Sequence, residues 1–352
     1  MARKQTGKSI GLRCVTHFFS CDWGTTSFRL RRVNVDDGRI VEERSESIGV
    51  KALHARCPAG DRAAREAIFA GFLRERLGAM TAAQPTAAAG AIVMISGMAA
   101  SSVGWRELPH ALLPVGLDGA DIPRAVFPLE LADGAAARIE LISGVRSATD
   151  MMRGEEVEIL GLFAEGRRAG LADDGLVVLP GTHSKHVRLH GRQMVGIRTY
   201  LTGELFEVLA KHSILSASLA PAEARQPLTD VAARAAFLDG VQAASANGLA
   251  ASLFQTRIRT VLQDVPAAQN HWFLSGLLIG AEGVDLLARE PKSRILLAAP
   301  EPLNVAYALA FEALGLGPRV EVAPPDEMSL ASVRGQLRLL RAGLPATEQD
   351  RR

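Results

Sequence analysis

Two short turns in this 352-residue chain carry the residue types that hold phosphate. The first is Cys21-Asp22-Trp23-Gly24-Thr25-Thr26-Ser27, and the second is Leu179-Pro180-Gly181-Thr182-His183-Ser184-Lys185. Each follows an apolar run of the kind that forms a buried strand. A Gly-Thr turn at a strand end presents backbone N–H groups and a hydroxyl to a phosphate, and Lys185 can add a point charge. Asp22 supplies a carboxylate able to hold Mg²⁺, directly or through water. Either turn alone would also suit an ordinary hairpin, since Asp and Gly favour turns. With one turn opening each half of the chain, the pair points to a nucleotide clamped between two lobes.

A third glycine-lysine stretch, Thr6-Gly7-Lys8-Ser9, is set aside. The position five residues before Gly7 is Ala2 rather than glycine, and the strand–loop–helix context of a P-loop is missing.

Composition narrows the class. The length suits two domains with real cores. Apolar residues make up 48% and charged residues 22%, which describes a globular chain. A net charge of +2 argues against a nucleic-acid footprint. Cys14, Cys21 and Cys57 have no metal-ligand spacing and fit reduced, cytosolic thiols. No apolar stretch approaches the roughly 20 residues that span a bilayer, so no membrane partner is expected. Met1 to Arg13 is basic without an apolar core and reads as an arm rather than a signal peptide.

The elements that must position the turns follow from pattern. Val15–Cys21, Phe28–Val35 and Arg39–Ser45 read as a three-strand meander, followed by a helix from Asp61 to Leu77 closed by Gly78. Ala91–Ile95 is a buried strand, and two further strands near 124–129 and 138–142 precede a helix from about Gly154 to Ala164. The second half repeats the plan. Strands at 176–180, 186–189 and 194–199 lead to helices at Thr202–Lys211 and Asp230–Ala251. His271–Leu274 reads as a strand, with a helix opening at Ser275-Gly276. Arg294–Ala299 and Val320–Val322 are strands alternating with helices Leu303–Leu314 and Met328–Ala342.

Several segments together resemble the 2-dehydro-3-deoxygalactonokinases, a family of the sugar kinase, heat-shock chaperone and actin superfamily. They are Asp22-Trp23-Gly24-Thr25-Thr26, Ser96-Gly97-Met98 with Val103-Gly104-Trp105, Met152-Arg153-Gly154-Glu155-Glu156, Gly181-Thr182-His183-Ser184-Lys185, Thr202-Gly203-Glu204-Leu205, and Ser275-Gly276-Leu277-Leu278-Ile279-Gly280-Ala281-Glu282. The Asp-x-Gly-Thr-Thr turn is common to many sugar kinases; the others are more specific. The resemblance spans about residue 17 to residue 285, and the basic arm and the Glu348–Arg352 tail fall outside it.

The resemblance implies an α/β fold of two actin-like (ribonuclease H-like) lobes with a nucleotide cleft between them. The expected division is an arm at 1–14, a first lobe at 15–168 and a second at 169–352. It implies ATP and Mg²⁺, and phosphorylation of the 6-hydroxyl of 2-dehydro-3-deoxygalactonate in galactonate or galactose breakdown, in the cytoplasm. Another sugar or 2-keto-3-deoxy acid, such as the gluconate epimer, is the alternative substrate. A non-catalytic sensor is the alternative class, and a homo-oligomer is compatible with either.

Residue roles then follow. Asp22 is the metal carboxylate, and Gly24, Thr25, Thr26, Gly181, Thr182, Ser184 and Lys185 hold phosphates. Gly276 and Gly280 mark the adenine segment, or else close helix–sheet packing. In related kinases the base lies near the start of a helix before the second turn, where Glu155, Glu156 and Asp150 all fit; Glu155 is put first. A 2-oxo acid needs a cation for its carboxylate, for which Arg153 and Arg198 are candidates, with Ser96, Gly97 and Trp105 as the pocket wall.

Overall fold

The computed structural model describes residues 16–82, 90–132, 134–221 and 226–343. The basic arm at 1–14 and the C-terminal tail therefore lie outside the described residues.

In the first half, strands β1 (His17–Trp23), β2 (Phe28–Asn34) and β3 (Ile40–Glu46) form the expected meander. A short helix α1 (Val50–His54) precedes α2 (Arg62–Thr81), whose N-terminus is capped by Asp61 accepting from the Ala64 N–H at 2.9 Å. Gly78 does not close α2, which runs on to Thr81; space around Gly78 is open, and one interior glycine costs only about 1 kcal/mol. Then come β4 (Ile92–Gly97), β5 (Ala111–Leu112), β6 (Val115–Gly116), β7 (Arg124–Glu130), β8 (Ala136–Ile142), β9 (Val145–Arg146), β10 (Met151–Met152) and α3 (Glu155–Leu162). The first sheet has the order β3-β2-β1-β4-β8-β7, with β1, β4 and β8 parallel to one another.

The second half runs α4 (Ala169–Asp173), β11 (Asp174–Leu179), β12 (Ser184–His190), β13 (Gln193–Tyr200), α5 (Thr202–His212), α6 (Val231–Asn247), α7 (Leu249–Ser252), α8 (Gln255–Gln263), α9 (Ala267–Arg289), β14 (Ile295–Leu297), α10 (Leu303–Ala313), β15 (Val320–Val322) and α11 (Pro325–Gly343). Its sheet has the order β15-β14-β11-β12-β13-β6, again a three-strand meander extended by parallel strands. The repeated strand order is that of two actin-like α/β lobes.

Three apolar cores stack in layers. On the outer face of the first sheet, Phe69, Phe72, Leu73 and Leu77 of α2 meet Trp23 and Phe28; their helical spacing makes one stripe. Between the sheets, α3 and α11 pack against Phe18 and Met94 on one side and Val177 and Val187 on the other. Beyond the second sheet, α6, α9 and α10 cover Val178 and Leu297.

One expectation is corrected. His271–Leu274 is not a strand but part of the 23-residue α9, and Ser275-Gly276 lies within that helix. A short apolar run cannot distinguish a buried strand from a buried helix, and here glycines on one face let α9 press against α6. Two elements cross the expected division at 168/169. Strand β6 from the first half pairs with β13, and α11 at the C-terminus packs on α3 between the lobes. Among the described residues, no helix is long and apolar enough to cross a membrane.

Candidate active site

The first and second turns face each other across one cleft of ≈ 650 Å³ between the lobes. Parallel pairing of β1 with β4 sets Asp22 beside Ser96 and Trp23 beside Gly97, so both strand ends open at the same level. Gln336 of α11 secures them, its Nε2 donating to Cys21 O at 3.0 Å and to Ser96 Oγ at 2.9 Å. The first turn is closed by Gly24 N–H donating to Ser27 O at 2.9 Å, and α1 donates into it from Val50 and Lys51. Gly24 and Thr25 line the cleft; Thr26 is exposed beside it.

Glycine is required where α3 approaches this floor. Gly97 has φ +92, and a Cβ there would lie 2.7 Å from Trp23 O. Gly154, with φ +116, sits against Gly97, so the first turn of α3 points into the cleft. Glu155 lines it, its Oε2 accepting from Arg153 N–H at 3.0 Å. Glu156 is wholly buried, with both carboxylate oxygens on the Gly154 N–H at 2.8 and 2.9 Å. Burial, then the Glu155 charge, pushes its carboxyl up to about 8. Asp150 lies off the cleft and ties the lobes: its Oδ2 accepts from Thr199 N–H and its Oδ1 from Thr199 Oγ1, both at 2.6 Å.

Two cleft residues had gone unnoticed. Glu158, one turn beyond Glu155, lines the cleft and is pushed up to about 8 by burial and the Asp22 charge, with smaller effects from Glu155 and Glu156 and with Arg29 opposing. Arg29 pairs with Asp22 in the β1–β2 register. The helical i, i+3 spacing and the hairpin register were the available signals. The Asp22 carboxyl is itself raised, chiefly by burial, with Arg29 and Arg31 opposing and Glu155 adding to it.

Among the described residues no three metal-ligating side chains converge. Mg²⁺ commonly takes one or two carboxylates plus phosphate oxygens and water. Asp22 lines the cleft beside Gly24 and Thr25, so the one carboxylate such an ion needs stands next to the phosphate turn.

In the second turn Gly181, Thr182 and His183 line the cleft. Ser184 and Lys185 begin β12 and turn away, on opposite faces. Ser184 is buried with its Oγ donating to Glu282 at 2.6 Å. Lys185 donates to Met151 O at 2.9 Å and Thr199 Oγ1 at 2.8 Å, so its ammonium clasps the lobes together rather than reaching into the cleft.

An apolar slot of ≈ 200 Å³ adjoins the cleft and shares Gly181 with it; Phe206, Ser275, Leu278, Ile279 and Tyr307 wall it. Gly276 and Gly280 face the other way. A Cβ on Gly276 would strike Phe237 O, and one on Gly280 would lie 2.8 Å from Val241 Cα, so both serve helix packing against α6.

Two expected substrate residues lie elsewhere. Trp105 is buried in the outer core, edge-on to Phe127 with centroids 5.2 Å apart. Arg198 is exposed on β13 and lines a separate ≈ 460 Å³ cavity with Arg188, Tyr200 and Arg289. Ser96, Gly97 and Arg153 do line the cleft.

Comparisons with known proteins agree with one another. A family model described as 2-keto-3-deoxy-galactonokinase matches residues 22–334. A probable 2-dehydro-3-deoxygalactonokinase of Rhizobium meliloti (strain 1021) is 34% identical over 332 residues, 92% of this chain and 97% of the relative. The 2-dehydro-3-deoxygalactonokinase of Escherichia coli (strain K12) is 30% identical over 306 residues, 85% of this chain and 90% of the relative. A crystal structure from Sinorhizobium meliloti, of a protein provisionally assigned as a 2-dehydro-3-deoxygalactonokinase, superposes with a TM-score of 0.75 at 32% identity, covering 94% of this chain and 98% of the other.

Proposed function

The chain belongs to the 2-keto-3-deoxy-galactonokinase family, and on that premise we propose that it phosphorylates the 6-hydroxyl of 2-dehydro-3-deoxygalactonate with ATP, releasing ADP. The observation that carries the reading is the single cleft onto which Gly24–Thr25, Gly181–Thr182 and Glu155 all open.

Phosphoryl transfer requires charge neutralisation, in-line positioning and an acceptor for the hydroxyl proton. Backbone N–H groups of the two turns bind the phosphates, and the apolar slot beside Gly181 receives the adenosine. Mg²⁺, held by Asp22, would neutralise phosphate charge when bound. Glu155 takes the proton of the attacking hydroxyl, its carboxylate held by the Arg153 N–H. Glu156 is too deeply buried for that task, and Asp150 is engaged by Thr199. Ser96 and Gly97 floor the acceptor site, and Arg153 is the cation nearest to it in the cleft wall. Drawing the lobes together around both substrates would exclude water, the competing phosphoryl acceptor.

The test is ADP release from Mg-ATP, followed optically, against 2-dehydro-3-deoxygalactonate, its gluconate epimer, galactonate and glucose. Turnover confined to the galactonate-derived keto acid is expected. Turnover of another member alone would overturn the substrate, and ATP binding without turnover of any would overturn the kinase reading. We read the reaction as part of galactonate or galactose breakdown in the cytoplasm.

A further inference from the structure

Among the described residues, eight buried side-chain polar atoms lack a hydrogen-bond partner, and Arg65 Nε, Arg106 Nε and Arg153 Nη1 are three of them. A buried donor left unpaired costs about 1–3 kcal/mol, so folded proteins keep few and each asks for an acceptor. Two of the three belong to residues of one pocket, and the third lies on a residue that abuts it. Arg65 and Arg106 line a ≈ 500 Å³ pocket together with Arg62 and His110. Arg153 reaches the pocket from the cleft, its Nη2 lying 2.9 Å from His110 Nε2.

The charges there are unbalanced. Glu66 is shared by Arg62 at 3.3 Å and Arg106 at 3.0 Å, and Glu107 is the other carboxylate at the rim. Against these two stand four guanidinium groups. Arg106 is further fixed by stacking over Phe127, 3.7 Å from the ring centroid, which leaves its edge preorganised. A cluster of guanidinium edges suits a planar anion that accepts two hydrogen bonds.

We propose that this pocket receives the carboxylate end of the acceptor, with Arg153, which lines the phosphoryl cleft and abuts the pocket at Leu108 and His110, standing between the two. The proposal rests on the sugar-acid kinase reading and deepens it. A 2-oxo acid offers a carboxylate and an adjacent ketone in one plane, matching guanidinium donors from two sides. His110 is a positioning residue: its ring nitrogen accepts from Arg153 and fixes the guanidinium. Burial first, then the Arg153 and Arg146 charges, lowers the His110 pKa, with Glu107 opposing, so the ring is neutral and able to accept.

The experiment compares the keto acid with its C1 carboxamide, which keeps the shape and removes the charge. Wild-type enzyme, Arg65→Met, Arg106→Met, Arg106→Lys, His110→Ala and His110→Gln are assayed for kcat, KM of each acceptor and KM of ATP. The wild type should prefer the acid by roughly two orders of magnitude. Both methionine variants should raise KM for the acid at least ~10-fold, leave KM for ATP within ~2-fold, and cost the amide clearly less than the acid. His110→Gln, which retains an acceptor, and Arg106→Lys should recover part of the loss. Equal losses on acid and amide, or no loss on either, would overturn the pocket. A wild type that turns over no 2-oxo acid would instead sink the kinase reading on which it rests.

Discussion

The carboxylate of Glu282 accepts a hydrogen bond from the His186 imidazole at 2.8 Å, deep beneath the second phosphate turn. Ser184 Oγ, Tyr307 Oη at 2.8 Å and Thr202 Oγ1 donate to the same carboxylate. One buried side chain of α9 thus joins β12, α5 and α10. Thr202 and Tyr307 also wall the apolar slot, and Glu204 N–H of α5 donates to Thr182 O at 2.9 Å. Glu282→Ala should strand four buried donors at about 1–3 kcal/mol each and abolish cooperative thermal unfolding at ordinary temperature. Tyr307→Phe is the milder probe. It should cost about 1 kcal/mol in thermal melting and weaken ADP binding in calorimetry while leaving KM for the sugar acid unchanged. Equal effects on both substrates would refute a link to the nucleotide side.

Glu155→Gln keeps the size and the hydrogen bond from Arg153 N–H but cannot accept a proton. Turnover should fall by roughly 10²–10⁴-fold with KM for ATP little altered. Full activity in that variant would pass the role to Glu158, the other carboxyl on the same wall.

Glu156 provides a pH signature. In the folded protein its carboxyl keeps its proton up to about 8, whereas in the unfolded chain it ionises near the usual glutamate value. Between those values the unfolded state binds fewer protons, so this group makes stability fall as pH rises, and the loss levels off above about 8. Glu156→Gln removes the ionisation. It should melt higher than the wild type at pH 8, with the difference shrinking as the pH is lowered towards 4.5. A gap that stays constant with pH would rule out the ionisation as its source.

Gly276→Ala separates packing from nucleotide contact. The added methyl meets the Phe237 carbonyl of α6, so the melting temperature should drop as expected for overpacking of about 1–3 kcal/mol or more. ATP affinity of the protein that remains folded should be unchanged. A selective loss of ATP affinity at constant melting temperature would return Gly276 to the adenine site.

Local chemistry accounts for what could be read from residue order. A strand ending in Asp-x-Gly-Thr or Gly-Thr makes its turn wherever it sits, so the two cleft-facing turns and the two meanders needed no knowledge of their surroundings. Glu155 was legible for a related reason: a glycine followed by acidic residues opens a helix, and the first turn of that helix is exposed to whatever lies ahead. Facing was another matter. In β12 the side chains alternate, so Ser184 went to Glu282 and Lys185 to Met151 and Thr199, and neither stayed with the turn that introduced them. In α9 the glycines met α6 while Ser275, Leu278 and Ile279 met the slot. Trp105 lies in the outer core and Arg198 in a separate cavity, and α11 packs on α3 in the layer between the two sheets. Sequence by itself determined the two turns, the two meanders and most of the helices, but not that 271–274 belongs to α9. Tertiary structure decided which side of each element sees the ligand, because that depends on the register of neighbouring strands and on which helix faces can approach closely enough to bury their apolar surface.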